Sequence, residues 1–301
     1  MAPRLRIPFA SLSADDYISR GAAGHVFRIS PNIVFKCPTQ FTDPFPQQTE
    51  EMEESIKKIE AEKSVYHVLM KRPHPNIVQC ILCVPEGIFL RGMESTLQER
   101  LFRSPTATVS PRTQERWVRQ LTSAVAWLES LGLVHGDLRP ANILLDANDD
   151  IKLGDFDATV SPGAELLVAS EPFCKINEDF ETPLAGPVSE QFSLASCIYT
   201  IRFKRWPWHD LKPRARGQRL ARNEFPVTSA DRLFGGVTRR CWLGEYASIA
   251  AVEQEVICRL GRTVAEGEAP KLQALIEDDA VLKLRAECEE FVAKQALGRM
   301  V

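Results

Sequence analysis

The stretch of sequence that decides the fold lies near the middle of the chain and reads LVHGDLRPANILL (133–145), DANDD (146–150) and IKLGDFD (151–157). Its two apolar runs have the length and composition of short strands. Asp137 and Asn142 precede the first run, and Asp155 and Asp157 follow the second. Because Pro140 prevents a helix between Asp137 and Asn142, both of these side chains are predicted to lie on a loop.

Phosphoryl transfer uses this set of side chains. One carboxylate accepts the proton of the attacking hydroxyl, and a carboxylate with an amide holds Mg²⁺ against the phosphates. The pattern His-x-Asp-x-x-x-x-Asn followed by Asp-Phe-Asp resembles the catalytic loop and the metal-binding motif of eukaryotic protein kinases. The resemblance implies Asp137 as the catalytic base, and Asn142 and Asp155 as the Mg²⁺ ligands. Arg139 stands where serine/threonine kinases usually carry a lysine near the γ-phosphate.

The N-terminal third extends the resemblance. Residues 19–26, SRGAAGHV, are similar to the glycine-rich loop of the family, with Ser19 in place of the first glycine. The strand 33–37 resembles the one that carries the phosphate-binding lysine, which is Lys36 in this chain. The resemblance implies ATP and Mg²⁺ as cofactors and a nucleotide-binding set consisting of Ser19, Gly21, Gly24, Val26, Val34, Lys36, Leu90 and Met93.

A helix is predicted to begin at Thr49 and to end near Lys71. Its apolar stripe consists of Met52, Ile56, Ile59, Tyr66 and Leu69. Glu62 falls within this stripe, and a carboxylate on the inward face of a helix needs a cationic partner unless it merely borders the stripe in solvent. In the family that partner is the strand lysine, so the resemblance pairs Lys36 with Glu62.

The order of predicted elements, strands around one helix and then mainly helices, indicates two unlike lobes. The predicted fold is α+β and bilobal, protein-kinase-like, with a small β-rich N-lobe (1–93), a larger helical C-lobe (94–260) and a helical C-terminal extension (261–301). Helical spacing indicates that this extension packs on the large lobe, with a partner-binding tail as the alternative. Its apolar positions are Leu272, Leu275, Ile276, Leu282, Leu284 and Phe291.

Four departures from the family pattern bear on activity. Gly136 replaces the arginine that receives an activation-loop phosphate, which predicts activity independent of such a phosphate. Asp157 replaces a glycine, which restricts the backbone and adds charge near the metal ligands. Ser19 allows a less close cover of the phosphates. No arginine follows Cys241-Trp242 at the usual spacing to pair with Glu171, which predicts a loosely held activation segment.

Composition restricts the remaining choices. The chain of 301 residues has a net charge of −3 and 44% apolar residues, which gives no electrostatic case for nucleic acid or an anionic membrane. Eight scattered cysteines indicate buried thiols, and Cys80 and Cys83 have CxxC spacing without the second pair that structural zinc needs. No stretch is long enough to span a bilayer, and no apolar signal region follows the N-terminal basic residues. We therefore expect a soluble, monomeric, intracellular protein, cytoplasmic or nuclear.

Three functions fit these observations. The first is an ATP-dependent serine/threonine protein kinase, which Pro140 after Arg139 favours over a tyrosine kinase. The second is a pseudokinase that binds ATP or acts as a scaffold. The third is a small-molecule phosphotransferase, because those relatives often have His-Gly-Asp, as this chain does. The combined motif wording resembles kinase-like proteins of filamentous fungi, and the identity of a protein substrate is not encoded in any motif.

Overall fold

The computed structural model describes residues 4–103, 108–261 and 279–298. The chain divides into two compact units. Unit 1 contains the residues up to His74, the segment Val78–Met93 and the C-terminal helix. Unit 2 contains Pro75–Ile77 and the residues from Glu94 onward, up to the C-terminal segment. The β-rich first part and the helical second part form the α+β kinase fold that the sequence predicts.

Unit 1 is built on a five-stranded antiparallel sheet with the strand order β2-β3-β4-β7-β6. A two-stranded ribbon of β1 and β5 and a short 3₁₀ helix at Ala14–Asp16 accompany this sheet. The strand bounds are β1 Arg4–Leu5, β2 Tyr17–Arg20, β3 His25–Ser30, β4 Ile33–Cys37, β5 Phe41–Thr42, β6 Cys80–Val84 and β7 Gly87–Arg91.

The five-stranded sheet has two different faces because residues paired across neighbouring antiparallel strands lie on the same side. Phe35 pairs with both Phe27 and Phe89, and these rings form an aromatic face. Phe9 packs on that face, with its ring centroid 4.9 Å from that of Phe35. This cluster is the core of unit 1.

Helix α1 spans Pro46–Lys71 and begins three residues before the predicted start at Thr49. Pro46 is tolerated in the first turn, where its missing N–H has no helical partner, so it begins the helix and does not delay it. Ile56 was predicted to face inward but is 39% exposed. Ser55 takes the buried place, where it donates to the carbonyl of Ala23 at 2.6 Å and accepts from the backbone N–H of Thr39 at 2.7 Å.

The C-terminal helix, α8 at Asp279–Gly298, packs on unit 1, so the prediction that it covers the large lobe is wrong. Cys288 is fully buried in the aromatic core. The ring of Phe291 lies 5.3 Å from that of Phe9 and 6.0 Å from that of Phe89. The aromatic face of the sheet needs an apolar cover, and α8 supplies it. Of the predicted apolar positions, Leu272, Leu275 and Ile276 lie outside the described residues.

Unit 2 is mainly helical around the buried helix α4, in which thirteen residues, Ser189–Ile201, are buried. A small antiparallel sheet with the order β10-β9-β8 lies in the same unit. No helix among the described residues is long and apolar enough to cross a membrane. The bounds are β8 Ser95–Thr96, α2 Leu97–Phe102, α3 Pro111–Ser130, β9 Ile143–Leu145, β10 Ile151–Leu153, α4 Pro187–Phe203, α5 Pro213–Ala221, α6 Gly235–Leu243 and α7 Ile249–Arg259.

Candidate active site

Lys36 and Glu62 form a buried ion pair in unit 1. The Nζ atom of Lys36 lies 2.7 Å from Oε2 of Glu62, and the side chains are 8% and 0% exposed. Strand β4 supplies the lysine and helix α1 the glutamate, as the inward position of Glu62 within its apolar stripe predicts. A buried carboxylate is tolerated at this position because a cation lies in direct contact.

Five of the eight residues predicted to bind nucleotide lie on strands of the five-stranded sheet: Ser19, Val26, Val34, Lys36 and Leu90. Val26 pairs with Lys36, and Val34 pairs with Leu90. Since cross-strand partners share a face, these four side chains lie on the face of the sheet opposite the aromatic core. Met93 follows the end of β7 and is half-buried. The apolar side chains and the lysine on this face suit a flat base and an anionic group, respectively.

The turn between β2 and β3 contains Gly21 and Gly24. The N–H of Gly21 donates to the carbonyl of Gly24 at 2.8 Å and closes the turn. Gly24 has a φ of 149°, and a Cβ there would lie 2.0 Å from the carbonyl oxygen of Cys37, so this glycine is required. Gly21 has open space around it, and Ser19 is an exposed residue of β2.

Asp137 is the centre of the polar loop of unit 2. Its Oδ2 atom accepts from Nε of Arg139 and from Nδ2 of Asn142, both at 2.9 Å. Its Oδ1 atom is buried, and no described residue donates to it. The carboxylate is therefore oriented through one oxygen, and the other oxygen is open to accept a proton or a hydrogen bond.

The β9–β10 hairpin brings Asn142 close to Asp155. Ile143 pairs with Leu153, so the start of β9 lies beside the end of β10. The N–H of Gly154 donates to the carbonyl of Asn142 at 3.0 Å, and Asp155 is the next residue. A carboxamide and a carboxylate at one end of a hairpin are oxygen donors of the kind that Mg²⁺ prefers, so these residues fit the predicted metal.

His135 fixes the loop from inside. Its Nδ1 atom accepts from the backbone N–H of Asp137 at 3.3 Å, and Nε2 lies 3.1 Å from the carbonyl oxygen of Gly154. Because a carbonyl can only accept, these partners place the proton of the neutral ring on Nε2. His135 thus connects the loop that carries Asp137 to the residue before Asp155.

Glu190 is a site residue that the sequence patterns did not predict. It is 4% exposed, and its carboxylate accepts from the backbone N–H groups of His135 at 3.1 Å and of Gly136 at 3.2 Å. Burial raises the pKa of Glu190, and these two hydrogen bonds oppose the shift. The available signal was a carboxylate in a helix that has only one other charged residue, Arg202, and whose residues Ser189–Ile201 are all buried.

The local backbone conformation requires glycine at position 136. The change from the family's arginine therefore has a structural reason. Its φ is 79°, and a Cβ at this position would lie 2.4 Å from the carbonyl oxygen of Ala158. No L-residue fits that space without movement of the loop. Asp157 differs in this respect: the positive φ in this segment, 63°, belongs to Asp155. Asp157 itself is 8% exposed, so its side chain lies inside the unit.

The segment that ends at Glu171 is anchored by an ion pair, which corrects the prediction that it is loosely held. The Nε atom of Arg216 donates to Oε1 of Glu171 at 2.8 Å, and the side chains are 12% and 22% exposed. Arg216 lies in α5 and comes before Cys241, whereas the family pattern places the partner after Trp242. A long-range pair of this kind has no local sequence signal.

Comparison with known proteins agrees with this geometry. The protein kinase domain family matches residues 44–222, which is more than half of the chain. CBL-interacting protein kinase 12 from Oryza sativa subsp. japonica is 33% identical over 198 residues, covering 57% of this chain and 35% of that protein.

Two further relatives have the same kind of match. Mitogen-activated protein kinase kinase kinase 5 from Arabidopsis thaliana is 25% identical over 226 residues, covering 70% of this chain and 31% of that protein. Serine/threonine-protein kinase DCLK1 from Rattus norvegicus is 35% identical over 114 residues, covering 35% of this chain and 26% of that protein. The chain thus spans about a third of the length of the curated relatives it matches. With the family match over residues 44–222, the chain belongs to the eukaryotic protein kinase family.

Proposed function

We propose that this chain is an active, ATP-dependent protein kinase that transfers the γ-phosphate of ATP to serine or threonine hydroxyls. The observation that carries the proposal is the hydrogen bonding of the Asp137 carboxylate. The Oδ2 atom of its carboxylate accepts hydrogen bonds from Arg139 and Asn142, while Oδ1 is buried and accepts no hydrogen bond from a described residue. This is the arrangement that a general base needs, because orientation and an unoccupied acceptor are present together.

The other site residues have matching roles in this proposal. Asn142 and Asp155 would hold Mg²⁺, and the ammonium of Lys36, oriented by Glu62, would bind phosphate oxygens. Val26, Val34 and Leu90 would contact the adenine ring. Bound Mg²⁺ neutralises the charge that develops on the transferred group. The substrate oxygen forms its bond to phosphorus as the bond to the leaving ADP oxygen breaks, and the hydroxyl proton passes to Oδ1 of Asp137.

A protein substrate is favoured over a small molecule by the surface after Asp155. Three large apolar side chains on the segment between residues 161 and 184 are exposed: Leu167 is 64%, Phe180 51% and Leu184 60% exposed. A closed pocket for a small substrate would bury such side chains. An exposed apolar stretch suits an extended polypeptide.

The test is transfer of labelled γ-phosphate to a generic acceptor protein with Mg²⁺, comparing the parent chain with Asp137→Asn. Glu245→Gln, an exposed carboxylate of the same unit that lies outside this surface, is the matched control. We expect transfer by the parent chain and by the control, and a loss of about 100-fold or more for Asp137→Asn. Nucleotide binding without transfer by the parent chain would favour the pseudokinase, and equal transfer by Asp137→Asn would remove Asp137 as the base.

A further inference from the structure

Residues 202–222 of unit 2 carry a local concentration of positive charge. The segment contains eight arginines and lysines and one acidic residue, Asp210, although the whole chain has a net charge of −3. It includes the end of α4, the connecting loop and the whole of α5. A local excess of this size in an otherwise acidic chain indicates a surface with its own binding partner.

The cations of this segment fall into two groups. Four have carboxylate partners: Arg202 with Asp231, Arg216 with Glu171, Arg219 with Glu224 and Arg222 with Glu178. The other four are exposed, and no described carboxylate pairs with them. We call this second group the basic patch, and it consists of Lys204, Arg205, Lys212 and Arg214.

The clustering of the basic patch argues against an ordinary solvated face, because its four members lie within residues 204–214. Elsewhere, the exposed Lys294 in α8 pairs with Glu290, one helical turn earlier, and the exposed, unpaired Arg112 and Arg239 lie on two different helices, α3 and α6. Asp210 is the one acidic residue within residues 202–222, and its Oδ1 atom lies 3.8 Å from Nδ1 of His209, a ring that is charged only when protonated. The four cations of the basic patch outnumber this one carboxylate, so residues 204–214 keep a net positive charge.

The loop between α4 and α5 is folded tightly, which keeps the basic patch together. The backbone N–H of His209 donates to the carbonyl of Trp206, and that of Leu211 donates to Trp208. The indole N–H of Trp208 donates to the carbonyl of Glu224 at 2.8 Å, just beyond the end of α5. The guanidinium of Arg219 lies 4.7 Å from the centroid of the Trp208 ring, so the loop is held against α5.

The same helix borders the segment that follows Asp155. Arg216 of α5 pairs with Glu171, and Nζ of Lys175 donates to Oδ1 of Asn223 at 3.3 Å, just after α5. A Cβ at Gly217 would lie 3.2 Å from the ring of Phe180. The basic patch therefore belongs to an element in direct contact with the stretch 171–180, whose exposed apolar side chain suits a polypeptide.

We infer that the basic patch binds an acidic segment, rich in Asp and Glu, of the protein that the kinase phosphorylates. This inference rests on the proposed function, because the partner is identified as the substrate. The four unpaired cations supply charge complementarity, and their position on α5 and its loop keeps the acidic segment beside the residues that follow Asp155. Each exposed ion pair contributes little, so the patch acts through several charges together.

Fluorescence anisotropy with labelled peptides tests the binding without ATP. Three peptides of equal length, one acidic, one neutral and one basic, are titrated with the full chain at about 0.15 M ionic strength. We expect the acidic peptide to bind about tenfold more tightly than the neutral one, with affinity that falls as salt rises. Equal affinities for the acidic and neutral peptides would overturn the inference.

Charge-reversal variants locate the site. Lys212→Glu/Arg214→Glu should lose most of the preference for the acidic peptide. Arg112→Glu/Arg239→Glu reverses two exposed, unpaired cations elsewhere in unit 2 and should keep it. An equal loss for both variants would contradict a local site. Tighter binding of a single-stranded RNA oligonucleotide, lost in the first variant, would replace the acidic peptide with nucleic acid as the partner.

Transfer assays separate this inference from the proposed function. If the chain transfers phosphate but the KM values for acidic and neutral peptides are equal, the inference fails and the proposed function stands. If the acidic peptide binds at the basic patch but no transfer occurs, the proposed function fails, and with it the identification of the acidic segment as substrate. We expect a KM for the acidic peptide about tenfold lower than for the neutral one, with kcat unchanged.

Discussion

Lys36 in unit 1 and Asp137 in unit 2 are both buried charged residues, but different contacts position them. Lys36 is fixed by the side chain of Glu62, 2.7 Å away. Asp137 lies on a loop whose backbone is fixed by Glu190, which accepts the N–H groups of His135 and Gly136. The first arrangement depends on two side-chain charges, whereas the second depends in addition on the conformation of the main chain. Substitutions should therefore act in unit 1 through the loss of a charge pair and in unit 2 through a change of loop conformation.

The largest effect on transfer is expected at Gly136, where the backbone conformation requires glycine. Gly136 and Gly132 have similar φ values, 79° and 71°, but only Gly136 lacks space for a Cβ. Gly132→Ala should cost about 1–2 kcal/mol of stability and leave transfer intact. Gly136→Ala should in addition displace the loop and reduce transfer by about 100-fold. Initial-rate assays and thermal unfolding of the two variants check this.

Gly136→Arg tests the same position against the family pattern. It restores the residue that usually precedes the catalytic aspartate, yet we expect it to be at least as damaging as Gly136→Ala. A gain of activity would show that the loop can adopt the backbone of its relatives, and that the carbonyl of Ala158 does not exclude a side chain at this position.

The next effect concerns the charge pair of unit 1. Glu62→Leu leaves the buried ammonium of Lys36 without its partner, and we expect a loss of about 3–5 kcal/mol in the free energy of unfolding. The double variant Lys36→Met/Glu62→Leu should recover most of that stability, because no buried charge is left unpaired. Denaturant titration of the parent, the single and the double variant measures this. A double variant no more stable than Glu62→Leu would show that packing, and not charge, accounts for the loss.

A smaller effect is expected at the aromatic face. Phe291→Ala should cost about 2 kcal/mol, because the ring is partly buried against Phe9 and Phe89. Leu282→Ala, on the same helix but 55% exposed, should change stability by less than about 0.5 kcal/mol. Thermal unfolding of both variants compares them. Equal small effects would mean that α8 contributes nothing to unit 1.

The smallest effect is expected at Asp157. Asp157→Gly restores the family glycine. The positive φ in this segment lies at Asp155, however, so residue 157 does not adopt a conformation that favours glycine. We expect no increase in transfer and a loss of about 1 kcal/mol in stability, since glycine adds unfolded-state entropy. A clear rise in kcat would identify Asp157 as an inhibitory residue.

Local patterns predicted the parts of the site that depend on neighbouring residues. Pro140 and the flanking apolar runs located Asp137 and Asn142 on a loop, and the helical stripe placed Glu62 inward, where it is found. The helix start at Pro46 was missed because proline reads as a loop signal although it is tolerated in a first turn.

Contacts between distant parts of the chain had no such signal. Glu190 bonds to residues 54 and 55 positions away, and Arg216 bonds to Glu171 across 45 positions. The spacing of Phe291 and its neighbours predicted a helix but not its partner, since an apolar stripe does not encode which surface it covers.

The most direct test separates the two units by function in one set of samples. Mg²⁺-ATP binding and γ-phosphate transfer are measured for the parent chain, Asp137→Asn and Lys36→Met/Glu62→Leu. We predict that Asp137→Asn binds nucleotide like the parent but transfers about 100-fold less or worse, whereas the double variant folds but loses nucleotide binding. Unchanged transfer by Asp137→Asn would contradict the assignment of Asp137 in unit 2 as the base. Full nucleotide binding by the double variant would contradict the assignment of Lys36 in unit 1 as the phosphate-binding residue.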